Sequence, residues 1–150
     1  MAKSGKSEGQ IQADILAAIG SMHGVQVMRI NTGVFMDDEG NRRIRSVPKG
    51  TPDILCCVQM SIMRRDQMDS GHMRVEIPQY YTFGQMVWME IKTPDKQLTV
   101  DQEAHFNAWG AAGAICVRVT SPEQAVEFLR DIADRINVTR ALPKNATGID

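Results

Sequence analysis

The sequence predicts an α/β domain, a central mixed β-sheet flanked by helices in the order αβββαβα, and three observations predict it. Capped segments with apolar residues at helical spacing alternate with short runs rich in β-branched residues. Their order, helix, three or more strands, helix, strand, helix, implies one mixed sheet with helices packed against it. The chain has 150 residues, 43% of them apolar, which suffices for one core and is too short for two comfortable ones. The single domain is expected to have its core over about residues 7–137.

Ser7-Glu8-Gly9-Gln10 has the form of a capping box, and Ile11, Ile15, Ile19 and Met22 recur at helical spacing. A first helix is therefore expected from about Ser7 to Met22, with Gly24 ending it. Val25 to Ile30 is a strand by its β-branched content, and Asp37-Asp38-Glu39-Gly40-Asn41 is a dense turn signal between Val34-Phe35-Met36 and Arg43-Ile44-Arg45. That pattern predicts a hairpin. Pro48-Lys49-Gly50-Thr51-Pro52 breaks the chain, and Ile54 to Val58 is an apolar run suited to a strand buried on both faces, with Asp53 at its entrance. Residues 60–85 show no clear period before Tyr80-Tyr81 and are read as an insertion whose candidate form is a second hairpin.

Met86 to Lys92 reads as a central strand. Thr99-Val100-Asp101-Gln102 offers a second capping box, for a helix from Val100 to about Ala112 that Gly113 closes. Phe106 and Trp109, three apart, are expected to face the core from that helix. Ala114 to Val119 is another strand, and Ser121-Pro122-Glu123-Gln124 starts a third helix with proline at its first position. Ala125, Phe128, Leu129, Ile132 and Ile136 line its buried face. Residues 139–150 read as a loose polar tail.

Composition narrows the function classes. No apolar run approaches the roughly 18 residues of a membrane span, and the polar start lacks the hydrophobic stretch of a secretory signal. The expectation is a cytosolic protein without a membrane partner. Three cysteines, two of them the neighbours Cys56 and Cys57, give neither a disulfide framework nor zinc spacing, and read as reduced core residues. In a cytosolic protein the Asn137-Val138-Thr139 sequon is ordinary surface. A net charge of −1 provides no whole-protein basic field, so any DNA contact must be local. Arg42, Arg43, Arg45 and Lys49 form one local basic cluster and Arg64 with Arg65 another, for which solvated loop charge is the plainer explanation.

The chemistry resides in three residues. Side chains alternate along a strand, so Glu90 and Lys92 share a face while Ile91 points away. A carboxylate and an ammonium half buried on an apolar strand are costly unless they pair or meet a metal. If the strand entered at Asp53 lies beside the strand ending at Lys92, Asp53 and Glu90 converge into an oxygen site suited to Mg²⁺. Phosphodiester hydrolysis needs such a set: a cation to neutralise the transition state, a deprotonated water in line and a positioned positive group. Each piece alone is commonplace, Pro52-Asp53 as a turn and Glu90 with Lys92 as a cross-face ion pair.

Gly50-Thr51-Pro52-Asp53-Ile54-Leu55 followed by Trp88-Met89-Glu90-Ile91-Lys92-Thr93 resembles the signature of the PD-(D/E)XK nuclease superfamily. More narrowly, the chain resembles its virus-type replication-repair nuclease family, VRR-NUC. Glu8 on an early helix, Asn31 and Gly33 after a strand, Gly50 to Asp53, Glu90 to Lys92 and Gln102 on the next helix follow that family's order, from Ser7 to about Leu129. The stretch from Gln59 to Gln85 departs from its compact pattern.

The resemblance implies a restriction-endonuclease-like core. It also implies that Asp53, Glu90 and the main-chain carbonyl of Ile91 hold Mg²⁺ or Mn²⁺, with Glu8 a further ligand directly or through water. Lys92 would act on the attacking water, and Gln102 would place Lys92 or a phosphate. Glu8 and Gln102 also suit plain roles at helix starts. Asn31 either touches DNA or stabilises the turn into the hairpin, and Arg43, Arg45 and Lys49 are the candidate DNA contacts beside it. The expected activity is endonucleolytic cleavage of DNA, branched or structured DNA above all, in replication, repair or recombination, in a viral protein acting in a bacterial host. A homo-oligomer would bring two sites to one substrate. The rivals are a catalytically silent DNA-junction binder of the same fold, and an interaction protein whose Glu90 and Lys92 merely pair.

Overall fold

A computed structural model describes residues 5–31, 33–36, 43–69 and 74–135, with side chains described for all of these except 34, 35, 43–45, 64–69, 74–78 and 135. The elements run α1 (Glu8–Ile19), β1 (Val25–Arg29), β2 (Val34–Met36), β3 (Arg43–Arg45), β4 (Ile54–Asp69), β5 (Arg74–Ile91), α2 (Val100–Ala111), β6 (Ile115–Val119) and α3 (Pro122–Arg135). The main sheet has the order β1-β4-β5-β6, and β2 and β3 form a separate two-stranded ribbon. β1, β4 and β5 are antiparallel neighbours, whereas β6 runs parallel to β5 after the α2 crossover. The protein is thus an α/β domain with a four-stranded mixed sheet and three flanking helices among the described residues.

Local chemistry starts α1 and α2 where the sequence places capping boxes. The Ser7 hydroxyl accepts from the Gln10 N–H while the Gln10 side chain accepts from the Ser7 N–H at 2.8 Å, and Thr99 with Gln102 repeats the exchange at α2. At α3 the Gln124 N–H donates to the Ser121 hydroxyl at 3.2 Å, but the Gln124 side chain reaches back to the Thr120 N–H. Helix α1 ends earlier than the hydrophobic pattern suggests. Gly20 caps it by donating to the Leu16 carbonyl, and Met22 and Gly24 belong to the turn into β1. Helix α2 closes as expected, with Gly113 at a φ of 93° just beyond its cap, where other residues would be strained.

One sheet face carries the core. Ile54, Cys56, Val58 and Met60 of β4 alternate inward with Val87, Met89 and Ile91 of β5 and meet Ile11, Ile15 and Ile19 of α1 and Ala125, Leu129 and Ile132 of α3. Phe128 packs at the edge of this cluster, and Ile136 lies outside the described residues. The expectation that 54–58 is buried on both faces is therefore corrected: α1 and α3 cover one face, and the alternate residues Cys57 and Gln59 are exposed. Cys56 is a core residue and Cys57 is not.

Residues 60–69 and 74–85 continue β4 and β5 as a paired arm, so the hairpin expected there extends the central strands instead of standing apart from them. β4 and β5 pair without interruption from Ile54 opposite Met89 to Asp69 opposite Arg74. Pro78 is tolerated because β6 accompanies β5 only over 87–91, which leaves the outer part of β5 as an edge. The central strand is accordingly 18 residues long rather than seven. The expectation of a core-facing α2 is also corrected. None of its residues is buried, and Trp109 is 37% exposed. Its rings instead rest on the opposite sheet face, His105 edge-on to Trp88 at 5.4 Å and stacked with Trp109 at 5.8 Å.

The β2–β3 ribbon forms as expected, while its turn at 37–42, the sequon and the tail lie outside the described residues. No described helix is long and apolar enough to cross a membrane.

Candidate active site

Asp53 and Glu90 meet because the β4–β5 register puts them there. Ile54 lies opposite Met89, so the residue before β4 falls beside the residue after Met89. The Asp53 carbonyl accepts from the Ile30 N–H at 2.8 Å, and its Oδ2 accepts from the Ile91 N–H at 2.9 Å. Those two bonds fix the carboxylate at the end of the ladder. The approach loop is equally constrained: Thr51 donates to the Pro48 carbonyl at 2.8 Å, and Gly50, with a φ of 85°, passes so close to α2 that a Cβ there would lie 2.3 Å from the Asp101 carbonyl oxygen.

Glu90 is 2% exposed and Lys92 8%. As alternation predicts, they share a face and pair, Lys92 Nζ lying 2.7 Å from Glu90 Oε1. The same oxygen receives a short hydrogen bond from Gln102 Nε2. Because Gln102 Oε1 is held by the Thr99 N–H at 2.8 Å, its amide can present only the nitrogen end to Glu90. Gln102 thus orients Glu90, where the sequence pointed to Lys92 or a phosphate. Glu90 Oε2 is buried and, among the described residues, has no hydrogen-bond partner.

Glu8 opens α1, and its Oε1 is also buried without a hydrogen bond among the described residues. Lys96 Nζ approaches that oxygen at 3.3 Å in an ion pair that lacks hydrogen-bond geometry. Glu8, Asp53 and Glu90 crowd each other electrostatically. Burial pushes the Glu90 carboxyl up to about 7 despite the Lys92 hydrogen bond, with Asp53 and Glu8 pushing the same way. Asp53 is also raised, chiefly by burial, against the opposing effects of the Ile91 N–H, Lys92 and Arg29. Two neighbouring carboxyls raised in this way mark a site short of positive charge.

A cleft of about 220 Å³ opens onto Asp53 and Glu90, bordered also by Lys49, Gly50, Asp101 and Gln102. A larger concavity of about 640 Å³ beside Ala18, Val126 and Arg130 includes none of them. Among the described residues no three His, Cys, Asp or Glu side chains form a ready metal cage. The donor set nevertheless fits Mg²⁺ or Mn²⁺, because such ions are held by one or two carboxylates with waters completing the shell. Asp53 supplies one carboxylate, and Glu90 supplies another with an unpartnered oxygen.

The remaining expected residues are less central. Asn31 is exposed, and its carbonyl accepts a short hydrogen bond from the Ser46 hydroxyl, which closes the base of the β2–β3 ribbon together with Gly33. Lys49 reaches the cleft rim but is paired with Asp101 at 2.6 Å. Arg43 and Arg45 have their backbone in β3, and their side chains lie outside the description. Two residues that the sequence reading passed over belong here. Lys96 sits in the Thr93-Pro94-Asp95-Lys96 turn, and Arg118 of β6 donates to the carbonyls of Lys96, Pro94 and Thr93 at 2.9, 3.1 and 3.3 Å. The register of Arg118 opposite Glu90 could not be read locally, since β6 reaches it only through the crossover.

No family model matches the chain, and neither a curated protein nor a solved structure is found similar to it. The class defined by fold and site is an α/β domain with a buried carboxylate–lysine pair at the end of its central strands.

Proposed function

We propose that the chain is an Mg²⁺- or Mn²⁺-dependent DNA endonuclease with a restriction-endonuclease-like core, of the PD-(D/E)XK superfamily and the VRR-NUC family that its motifs resemble. The observation that carries this reading is Glu90: a buried carboxylate with Lys92 on one oxygen, no partner among the described residues on the other, and Asp53 beside it. A pair serving stability alone would be expected to satisfy both oxygens.

Asp53, Glu90 and the Ile91 carbonyl would hold the ion, with Glu8 joining directly or through water. When bound, the ion supplies positive charge at the scissile phosphate and lowers the pKa of water. Lys92 holds the attacking water by its Nζ and adds charge to the transition state. Gln102 keeps Glu90 in position throughout, because its own amide is locked by Thr99. Lys49 at the cleft rim, with Asn31, Arg43 and Arg45, is assigned to DNA phosphates, and structured or branched DNA is the substrate class.

The deciding experiment is cleavage of labelled duplex, flap and four-way-junction DNA with Mg²⁺, Mn²⁺ or chelator, for the parent and Lys92→Ala. Metal-dependent cutting lost in a folded Lys92→Ala protein is the expected result. Junction binding without cutting would replace the nuclease by a silent DNA-binding module, and neither cutting nor binding would reject both.

A further inference from the structure

We propose that the sheet face opposite the core docks a second copy of this chain, two copies meeting face to face across a two-fold axis, whether or not the site cuts DNA.

Alternation defines that face. The residues between the core positions turn to the side that α1 and α3 leave bare: Gln26 and Met28 of β1, alternate residues from Leu55 to Met63 of β4, and alternate residues from Tyr80 to Met86 of β5. Helix α2 lies beside this strip, with the rings of His105 and Trp109 against Trp88. Met28, Cys57, Gln59, Tyr80 and Met86 are all exposed. Over those spans the face carries no charged residue, although 23% of the chain is charged. The solvent side of an antiparallel sheet is ordinarily polar, and its edges are ordinarily guarded by charge. A face of methionine, tyrosine and uncharged polar groups has instead the composition of an interface core. Nucleic acid is a poor occupant, because its affinity comes from cations and this face offers none.

A second copy fits on three counts. Two-fold apposition sets the patch against itself, so any charge on it would meet its like, and an uncharged face carries no such penalty. The face is also smoothed for packing: Cys57 Sγ occupies the space that a Cβ at Gly84 would need, so a side chain of β4 fills the gap left by β5. Finally, β1 and β6 accompany the hairpin only over 54–58 and 87–91, which leaves its outer part as a two-stranded arm. Such an arm is marginal in water by itself, and a second sheet packed about 10 Å away would cover it. Trp88 and Glu90 share this face, so the interface lies beside the candidate site without including its carboxylates.

Sedimentation of the full chain across the micromolar range tests the proposal for the parent, Met86→Lys and Tyr80→Lys, with Met36→Lys on the β2–β3 ribbon as a control of the same chemistry. Circular dichroism checks that each is folded, and the exposed Tyr80 keeps the test open should Met86→Lys not fold. The parent should dimerise, and each substitution on the face should raise the dimer dissociation constant about tenfold or more, because the two-fold brings two added ammoniums into one interface. Met36→Lys should leave that constant unchanged. In the parent, the rate at which a maleimide labels Cys57, read by mass spectrometry, should fall as the dimer forms. A monomeric parent overturns the proposal. So does a dimer that survives both substitutions on the face, one that Met36→Lys weakens equally, or a Cys57 rate indifferent to association. A monomeric parent whose duplex DNA binding is lost in Met86→Lys would give the face to nucleic acid and overturns it as well. None of these outcomes depends on cleavage, so the nuclease reading stands or falls separately.

Discussion

At the scale of single residues the site is governed by Glu90, whose one oxygen accepts from both Lys92 and Gln102 while the other has no partner among the described residues. Its carboxyl is raised from 4.5 to about 7 in the fold. The folded state therefore holds more protons than the unfolded state between those values, and stability falls with rising pH across that window and levels off above it. Asp53, raised from 3.8, adds in the same sense from a lower starting pH. Chelator-treated protein should accordingly melt at lower temperature at pH 8 than at pH 5, and Glu90→Gln should flatten that profile. Lys92→Ala leaves a buried carboxylate without its cation, a loss of about 3 kcal/mol or more where the carboxylate is charged. Below pH 7 Glu90 can take up a proton instead, so urea denaturation should find the penalty smaller at pH 5.5 than at pH 8. A penalty independent of pH would mean that Glu90 is not the titrating group.

Among the elements, the loop before β4 and the turn after β5 flank the residues of the site in sequence and hold them in place. Gly50 combines a left-handed φ with an approach to the Asp101 carbonyl that admits no Cβ. Gly50→Ala should cost about 1–3 kcal/mol by forcing either the loop or the first turn of α2 aside. Since both border the cleft, it should also lower activity more than the fraction unfolded explains, which parallel urea curves and cleavage rates would check. After β5, Arg118 makes three charge-assisted bonds to one turn. Arg118→Ala should destabilise by about 1.5–3 kcal/mol in the same denaturation assay. A neutral effect would show that water replaces the guanidinium at no cost.

For the whole molecule the uneven cover of the sheet matters most. Helices α1 and α3 bury one face, while Met28 is 53% exposed and Met86 37% exposed on the other, and Tyr80 and Tyr81 stand out along the hairpin arm at 71% and 48%. A two-stranded arm is marginal in water by itself, and with a net charge of −1 little repulsion separates two copies. We propose a homo-oligomer, a dimer or higher, as the working form, and sedimentation at micromolar concentration should show it. Monomer alone would place the full burden of DNA affinity on local contacts such as Lys49.

Much of this architecture was legible because its causes are local. Capping needs a hydroxyl and an amide three residues apart, so Ser7 with Gln10, Thr99 with Gln102 and Ser121 near Gln124 announced three helix starts that the fold uses. Alternation likewise put Glu90 and Lys92 on one face, and their pairing follows from it. What only the tertiary structure decided depends on groups far apart in sequence: which face of β4 is covered, the pairing that makes 60–69 and 74–85 a continuation of the central strands, the use of Gln102 to hold Glu90, and the Lys96 to Glu8 contact. Burial and ion pairing are settled by whichever surface arrives opposite, and a single strand or helix carries no record of that arrival.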